Sequence, residues 1–251
     1  MTGRSAQMGH EARTGSAARA GSPEPPRGAG RRVALALKRL VDVCVAAFGL
    51  AALSPLVVVL IVLQLVVHGW PPFFTQERPG LHGRPFRMVK LRTMTNARGP
   101  DGALLPDAQR LTRLGALLRR TSLDELPELW NVLVGDMSLV GPRPLLMQYL
   151  ERYTPEQARR HEMKPGITGL AQVSGRNLLT WEDRFRLDVA YVDGWSPWLD
   201  LKILWRTARV VLGREGVSAD GHVTMPEFMG SAPERAPQGA DLAAANARGT
   251  R

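Results

Sequence analysis

The sequence contains a single cysteine, Cys44, in 251 residues. One thiol excludes a disulfide framework and any zinc or iron–sulfur site built from several cysteines. The five histidines are scattered, and none of them forms an HxxxH or HxxE pair, which argues against a histidine-based metal site. We therefore expect any metal site to rest on other residue types.

The first 32 residues lack Leu, Ile, Val, Phe, Tyr and Trp altogether. A segment of this composition buries too little apolar surface to offset its ordering entropy. We therefore predict a disordered basic tail over 1–32. Residues 230–251 contain only one residue of these types, Leu242, and we predict a mostly disordered tail over 218–251. The chain between the tails is long enough for a sizeable core.

Basic residues outnumber acidic ones, 33 to 23, for a formal net charge of +10. About half of this excess lies in the two ends of the chain, 1–32 and 230–251. Positive charge suggests anionic partners such as nucleic acid, anionic lipid or a phosphate-bearing substrate. Nucleic-acid binding also calls for interleaved aromatics or a known motif, and neither is evident, so we expect no nucleic acid partner.

One uncharged apolar segment dominates the sequence. The run from Val43 to Val67 extends for 25 residues without a charged side chain. An apolar stretch of about 18 residues or more is a candidate membrane helix, and this one starts too late and lacks the cleavage site of a signal peptide. A buried helix of a soluble core is the alternative, but the length and hydrophobicity favour the membrane.

Two features of this run concern how it enters a membrane. Ser54-Pro55 lies at its midpoint, and proline kinks or breaks a helix because it lacks a backbone donor. Each half is roughly 18 Å long at helical rise, too short to cross a hydrocarbon core of about 30 Å. Both flanks are basic, which favours both ends in the cytoplasm. A re-entrant helix fits both features, and a proline-kinked spanning helix is an equal alternative on the residues alone.

The segments after the run predict an α+β fold that is mostly helical. Alternation around a Pro/Gly-rich turn is typical of a hairpin, and leucine spacing predicts short helices. The predicted elements are a hairpin from Phe73–Glu77 and Arg84–Met94, and helices over 111–118 (capped by Asp107), 126–134 (ending at Gly135) and 147–161.

The segment Trp198–Leu212 predicts an amphipathic helix with tryptophans and a basic rim. Its apolar face is expected to contain Leu201, Leu204, Trp205, Ala208 and Val211. This pattern is typical of an interfacial membrane helix, although an ordinary core-packed helix has a similar one.

The clearest candidate for chemistry is the acidic pair Asp124-Glu125. Pro127 is tolerated only near a helix start, so the pair falls at or just before the first turn. There the helix dipole is expected to lower the pKa of a carboxylate and to attract phosphate. An ionised aspartate is a competent nucleophile toward phosphorus and a neighbouring glutamate can bind a divalent cation, but acids at helix starts often serve only as caps.

A stiff loop presents one arginine. Pro142 and Pro144 flank Arg143 and hold its guanidinium at low entropic cost, which suits a bidentate phosphate contact. A solvated basic face against an anionic membrane is the alternative. The further cations expected to converge on the same anion are Lys90, Arg92, Arg119 and Arg120.

Two glycine-punctuated loops, 164–169 and 174–177, are candidates to cradle a substrate with backbone donors. Neither matches a Walker or dinucleotide-binding pattern, so the signal is weak by itself.

Together these segments closely resemble the bacterial sugar transferase family, the monotopic polyprenyl-phosphate phosphoglycosyl transferases. The resemblance covers roughly 37–213, with its blocks in the family's order. Larger members carry an added multi-span N-terminal domain, so the resemblance implies a minimal catalytic unit. The blocks are KRLVD (Lys38–Asp42), Ser54-Pro55, FFTQERPG (Phe73–Gly80), KLRTM (Lys90–Met94), RRTSLDELPELWNVLVGDMSLVGPRP (Arg119–Pro144), KPGITGLAQVSGRN (Lys164–Asn177) and WSPWLDLKIL (Trp195–Leu204).

The resemblance implies a reaction. Asp124 resembles the family's aspartate nucleophile, which attacks the β-phosphate of a UDP-sugar and expels UMP. Glu125 resembles the adjacent glutamate that helps bind Mg²⁺, and we expect both carboxylates at the metal. Polyprenyl (undecaprenyl) phosphate then attacks the phosphosugar-aspartate and yields a polyprenyl-diphosphate-sugar. This product initiates a membrane-linked glycan such as an exopolysaccharide, a capsule, an O-antigen or a glycoprotein glycan.

The resemblance also implies the surroundings of the site. It places a re-entrant helix, interrupted at Ser54-Pro55, over 33–70, and a small cytosolic catalytic domain over 71–217 at the bacterial inner membrane. The expected partners are a UDP-sugar, polyprenyl phosphate and membrane lipid, with downstream glycosyltransferases as further candidates; the sugar and the oligomeric state stay open. The expected substrate-binding residues are Arg78, Lys90, Arg92, Arg119, Pro142, Arg143 and Pro144.

A membrane-anchored basic binding or scaffold module without catalysis is the competing interpretation. It accounts for the charge, but it accounts for neither the Asp124-Glu125 pair nor the stiff Pro-Arg-Pro loop.

The basic flanks and the central Pro55 predict that both ends of Val43–Val67 face the cytoplasm. Single cysteines introduced before Lys38 and after Trp70 should therefore react with an impermeant label from the same side of the membrane. Pro55→Leu should permit a longer helix and shift a fraction of the molecules toward a true span. Labelling of the two positions from opposite sides in the unchanged helix would contradict the prediction.

Overall fold

The computed structural model describes residues 28–175, 179–213 and 227–231, so the predicted tails lie largely outside it. The described part is mostly helical with a few strands, as predicted. The helices are α1 (Ala29–His68), α2 (Asp107–Arg110), α3 (Arg113–Thr121), α4 (Glu128–Val134), α5 (Pro155–Ala158), α6 (Leu170–Val173), α7 (Trp181–Gly194) and α8 (Pro197–Gly213). The strands are β1 (Phe73–Pro79), β2 (Pro85–Leu91), β3 (Ser138–Val140) and β4 (Gly166–Thr168), and 3₁₀ turns cover Leu81–Gly83, Leu123–Glu125, Met147–Arg152 and Arg159–Glu162.

Helix α1 is a long apolar helix of 40 residues, about 60 Å in length at about 1.5 Å per residue. Only 11% of its most apolar 18-residue window is buried inside the protein. A helix at the centre of a soluble core would be mostly buried, whereas Phe48 and Val66 of α1 are largely exposed. Lipid would remove this surface from water, so α1 fits a membrane location.

The backbone of α1 stays helical through Pro55. Proline cannot donate to the carbonyl of Ala51, four residues earlier, and the Ser54 hydroxyl donates to that oxygen instead, at 2.7 Å. The serine therefore satisfies the carbonyl that the proline leaves without its usual donor. The structure thus has one continuous helix where the sequence predicted an interruption.

Polar side chains attach the first half of α1 to the rest of the protein. Arg39 donates to the carbonyl oxygens of Val132 and Leu133 at the end of α4, the latter at 2.9 Å. The buried Asp42 accepts a hydrogen bond from the backbone N–H of Leu139 in β3, at 3.1 Å. Because these contacts satisfy groups that a helix end or a sheet edge would otherwise leave unpaired, they fix where α1 docks.

Lys38 of α1 joins a second set of elements. Its ammonium donates to the carbonyl of Val140 at 3.0 Å and pairs with Asp200 at 2.7 Å. Asp200 also accepts hydrogen bonds from the Tyr191 hydroxyl at 2.8 Å and from the Trp195 indole at 3.1 Å. One carboxylate therefore connects α1, α7 and the first turn of α8.

The predicted hairpin is present. β1 pairs antiparallel with β2 from Phe73 opposite Leu91 to Pro79 opposite Pro85. The connection turns at His82, whose φ of 55° is left-handed, followed by a glycine in the same region. The hairpin places alternate side chains of β2 on one face, toward the chemistry described below.

Asn131 attaches α4 to the edge of β2. Its side-chain oxygen accepts from the N–H of Val89 at 3.1 Å, and its amide nitrogen donates to the carbonyl of Arg87 at 2.8 Å. The side chain thus pairs with β2 as a neighbouring strand would. α4 ends at Gly135, in the left-handed region, as predicted.

β3 and β4 form a parallel pair, with Ser138 opposite Gly166 and Val140 opposite Thr168. A Cβ on Gly166 would lie 2.1 Å from the backbone nitrogen of Gly141, closer than any side chain tolerates. Glycine at position 166 therefore permits close backbone packing between this loop and Gly141. Arg176 and Asn177 of the other expected cradle lie outside the described residues.

Two predicted helices need correction. The N-cap of α3 is Thr112, whose hydroxyl accepts from the N–H of Gly115 at 2.9 Å; Asp107 instead begins α2 and pairs with Arg110 at 2.7 Å. Thr112 is favoured because it directly precedes the helix, as capping geometry requires.

The predicted helix over 147–161 is three short segments: the turn Met147–Arg152, α5 and the turn Arg159–Glu162. Thr154 and Gln157 form a capping box, and Pro155 follows the cap. A proline at this position starts a helix and cannot continue the preceding one, so the periodic pattern is interrupted.

Helix α8 divides its apolar residues between two sides. Ile203 is buried and Leu204 is partly buried against the core, whereas Trp198, Leu201 and Trp205 are each more than half exposed. The rest of the protein therefore covers only part of the predicted apolar face of α8.

Candidate active site

A cavity of about 1830 Å³ opens between the hairpin, α3, the Leu123–Glu125 turn and the loop after β3. It brings together both members of the acidic pair and every expected substrate-binding residue except Pro142. The lining includes Arg78, Lys90, Arg92, Arg119, Asp124, Glu125, Arg143 and Pro144.

Asp124 lies on the 3₁₀ turn that separates α3 from α4. Ser122 ends α3 in a left-handed conformation, with φ of 57°, and Pro127 is the N-cap of α4. The pair therefore precedes α4, as predicted. The Asp124 side chain is 8% exposed, and within the described part of the chain no donor hydrogen-bonds to its carboxylate. This carboxylate is consequently available to a ligand in the cavity.

Burial raises the pKa of Asp124 above its ordinary value, and the charge of Glu125 raises it further. The cations Lys90, Arg119 and Arg143 act in the opposite direction without reversing the shift. The prediction that a helix dipole lowers this pKa is therefore wrong, because desolvation of the turn outweighs the favourable charges. Additional positive charge in the cavity would favour the ionised form.

Glu125 joins two elements through one oxygen. Its Oε1 accepts from the Lys90 ammonium on β2 at 2.7 Å and from the Arg143 guanidinium at 2.6 Å. Burial alone would raise the pKa of Glu125, but Arg143 and Lys90 outweigh it and lower the pKa to about 2. Glu125 is therefore ionised at neutral pH.

Glu128, a residue that sequence reasoning did not single out, is a further acid of the site. It is 2% exposed and its Oε1 lies 2.9 Å from the Lys90 ammonium. Burial raises its pKa to about 7, assisted by the charge of Glu125 and opposed by Lys90. Lys90 therefore pairs with two carboxylates whose pKa values shift in opposite directions. Glu125 stays charged, whereas Glu128 binds a proton more readily.

Hydrogen bonds to two backbone carbonyls fix the Pro-Arg-Pro loop. Pro142 lies behind the cavity wall, and its carbonyl accepts from the N–H of Gly166 at 3.0 Å. The carbonyl of Arg143 accepts from the Arg160 guanidinium at 2.8 Å. With its backbone fixed, Arg143 reaches over Glu125, and its side chain stays about one-third exposed toward the cavity.

Three further expected cations line the cavity, and other parts of the protein fix or surround each of them. Arg119 donates to the Thr93 hydroxyl at 3.0 Å. Arg92 donates to the carbonyls of Met94 and His68, which ties the end of α1 to the site. Burial and the neighbouring Arg143 lower the pKa of Arg78 to about 10, so it stays charged at neutral pH.

Arg184 and Asp188 on α7 also line the cavity and were not predicted. Their spacing of four places them on one helix face, but nothing in the local sequence distinguishes them from a surface ion pair. Glu128 had a weak signal, because it lies one helical turn after the acidic pair in the same block.

The site fits a magnesium ion that is completed by substrate. Among the residues that the structure describes, no group of three or more His, Cys, Asp or Glu side chains is arranged to hold a metal. Mg²⁺ commonly takes only one or two protein carboxylates and fills its other positions with water and substrate phosphate. Asp124 and Glu125 match such a partial set, since both contacts to Glu125 fall on Oε1.

Comparison with known proteins places most of the described chain in one family. The family model described as bacterial sugar transferase matches residues 33–214. The chain is 57% identical over 195 residues to a protein of Bacillus subtilis named uncharacterized sugar transferase EpsL, covering 78% of this chain and 96% of that protein.

Relatives with named activities are more distant. A UDP-glucose:undecaprenyl-phosphate glucose-1-phosphate transferase of Caulobacter vibrioides is 42% identical over 205 residues, covering 77% of this chain and 74% of that protein. An undecaprenyl-phosphate galactose phosphotransferase of Salmonella typhimurium is 40% identical over 197 residues, covering 72% of this chain but 41% of its own length. The chain therefore spans less than half of that longer relative.

The raised pKa of Glu128 predicts a pH-dependent stability. The folded protein favours the protonated carboxyl, so stability falls as pH rises from about 4.5 through about 7, by up to roughly 3 kcal/mol. Glu125, whose pKa is lowered, contributes stability above about pH 4.5 that is lost only as pH falls toward 2, outside this window. Glu128→Gln should therefore flatten the decline in melting temperature between about pH 5 and pH 8.

Glu162→Gln is the matched control, because the Glu162 carboxylate is about half exposed and pairs only at the surface. Its melting temperatures should follow those of the unchanged protein. Parallel pH profiles for Glu128→Gln and the unchanged protein would contradict the assignment.

Proposed function

The chain belongs to the bacterial sugar transferase family, and we propose that it transfers a sugar-1-phosphate from a UDP-sugar to polyprenyl phosphate by way of a phosphosugar-aspartate at Asp124. The observation that carries the proposal is the Asp124 carboxylate. It lies on the cavity wall among Lys90, Arg119 and Arg143, while no donor in the described residues hydrogen-bonds to it.

The reaction proceeds in two displacements at phosphorus. The Asp124 carboxylate attacks the β-phosphorus of the UDP-sugar; a carboxylate–phosphorus bond forms, and the bond to the bridging oxygen breaks and releases UMP. An oxygen of polyprenyl phosphate then attacks the same phosphorus and the aspartate leaves. One high barrier is thereby divided into two lower ones, as in other covalent mechanisms.

The cations of the cavity offset charge that would otherwise oppose this attack. A carboxylate and a diphosphate repel each other, and Lys90, Arg119 and Arg143 place positive charge beside both. The same charges favour the ionised form of Asp124, against the burial that raises its pKa. Glu125 holds Lys90 and Arg143 in place before the substrate arrives.

Mg²⁺ is the cofactor that the donor set supports, and we assign Glu125 and Asp124 as the residues that would hold it. Its chemistry there is neutralisation of charge on the diphosphate. Activity should accordingly be lost in excess chelator.

We place the catalytic cavity on the cytoplasmic side of the bacterial inner membrane, with α1 in the lipid. Support comes from the basic flanks of the apolar run and from its exposed side chains. The exposed tryptophans of α8, with Lys202 beside Trp198, are suited to the membrane interface. The polyprenyl chain would then lie in the lipid next to the cavity, and its phosphate would reach into the cavity.

UMP release from a panel of UDP-sugars, with purified protein and polyprenyl phosphate, tests the function. Asp124→Asn removes the nucleophile at nearly constant size and should lower the rate by at least about 10³-fold, while membrane insertion is unchanged. Asp193→Asn, the same change at an exposed carboxylate that pairs with Arg159, should leave the rate within about twofold.

A non-catalytic basic module predicts a different outcome. It would release no UMP from any member of the panel, and Asp124→Asn would behave like Asp193→Asn. Either result would overturn the proposed function.

A further inference from the structure

The segment 227–231, which lies within the predicted C-terminal tail, is packed against the catalytic domain. Phe228 is 1% exposed. Its ring lies among four aromatic rings at centroid distances of 4.9 to 5.9 Å; two of these pairs are edge-on, one is tilted and one is stacked. This aromatic cluster consists of Tyr149, Tyr153, Trp181 and Phe185.

Polar contacts hold the backbone of the segment in register around Phe228. The N–H of Phe228 donates to the Tyr149 hydroxyl at 3.2 Å, and its carbonyl accepts from Arg152. Arg152 also pairs with Glu227 at 2.8 Å, and the Ser231 hydroxyl accepts from the side-chain amide of Gln157 at 2.7 Å. The segment is thus bound along its length through both backbone and side chains.

The aromatic cluster in turn orients a buried arginine. The guanidinium of Arg160 lies over the rings of Tyr153 and Phe185, 5.8 and 5.6 Å from their centroids. It donates to the Tyr153 hydroxyl at 3.2 Å and pairs with Asp188 at 2.6 Å. Arg160 is 1% exposed, so these partners determine its position.

Arg160 is the donor to the backbone carbonyl of Arg143, at 2.8 Å. On the other side of Arg143, Leu145 is buried in the same cluster as Phe228. The loop that presents Arg143 is therefore held from two directions by groups that pack around Phe228.

We propose that Phe228 is a positioning residue for Arg143, and that the segment 227–231 acts as an intramolecular strap that completes the binding site for the diphosphate of the substrate. The part of this inference that concerns substrate rests on the proposed function. Phe228 contacts no residue of the acidic pair and acts through Arg160 and Leu145.

The first test compares Phe228→Ala with Met229→Ala in the full-length protein. Met229 is the adjacent residue and is 76% exposed, so its truncation controls for a change in the same segment. In ping-pong kinetics, kcat/KM for the UDP-sugar reports only the first displacement. Phe228→Ala should lower it about tenfold and change kcat/KM for polyprenyl phosphate by less than about twofold, because Arg143 engages the diphosphate of the first substrate. A purely structural defect would reduce the active fraction and lower both ratios equally, which would overturn the proposal.

A double-variant cycle tests whether the effect passes through Arg143. Arg143→Gln removes the group being positioned, so Phe228→Ala should cause no further loss in that background. Additive losses would contradict positioning. Should Phe228→Ala fail to fold, Phe228→Leu keeps an apolar side chain while losing the ring contacts, and the same non-additivity is expected of it.

Hydrogen exchange separates this inference from the proposed function. The amides of Arg143, Leu145 and Leu146 should exchange faster in Phe228→Ala, or in Phe228→Leu, than in Met229→Ala. Faster exchange supports the strap even if the unchanged protein accepts none of the UDP-sugars, in which case only the proposed function fails. Exchange equal to that of Met229→Ala would overturn the strap whatever the substrate.

Discussion

The carboxylate of Glu125 is the point on which the catalytic arrangement depends. Lys90 comes from the hairpin, Arg143 from the loop after β3, and both meet one oxygen of a residue in the turn before α4. Removing Glu125 would leave the positive charges of Lys90 and Arg143 without this shared carboxylate in a poorly hydrated site. In this arrangement Asp124 lies beside cations, but the hydrogen bonds of Lys90 and Arg143 go to Glu125, so the carboxylate of Asp124, the proposed nucleophile, keeps its lone pairs. A preorganised site of this kind has its charges in place before substrate binds.

Helix α1 and the candidate active site are parts of one structure. Arg39, Asp42 and Lys38 of α1 contact α4, β3 and α8, the elements that flank the cavity, and Arg92 reaches the last turn of α1. Because contacts attach the cavity to both the first half and the last turn of α1, the distance between the cavity and the apolar surface of α1 is fixed. In the proposed reaction between a nucleotide sugar and a lipid phosphate, this fixed distance would keep both substrates within reach of one carboxylate. Holding two reactants in the correct relative position is a major source of rate enhancement in enzymes.

Much of this was predictable from the sequence, and the reasons for the exceptions are physical. The hairpin, the end of α4 at Gly135 and the position of Asp124-Glu125 follow from local signals: alternation, a left-handed glycine and a proline at a helix start. The raised pKa of Asp124 and the site role of Glu128 depend on burial, which no local pattern reports. The break of the predicted helix over 147–161 came from a capping box that periodicity does not register. At Pro55 of α1 the Ser54 hydroxyl donates to the carbonyl that the proline leaves unpaired, and the contacts of Phe228 join residues far apart in the chain.

The central claim is that Asp124 carries the phosphosugar, and intact-protein mass spectrometry tests it most directly. The protein is incubated with its UDP-sugar and Mg²⁺ in the absence of polyprenyl phosphate, then digested to locate any adduct. The account predicts a mass increase of one sugar phosphate on Asp124, matched by an equal amount of UMP, and loss of the adduct when polyprenyl phosphate is added. Asp124→Asn should show neither adduct nor burst of UMP. An unmodified protein, together with UMP release that strictly requires the lipid, would show direct transfer in a ternary complex and contradict the account.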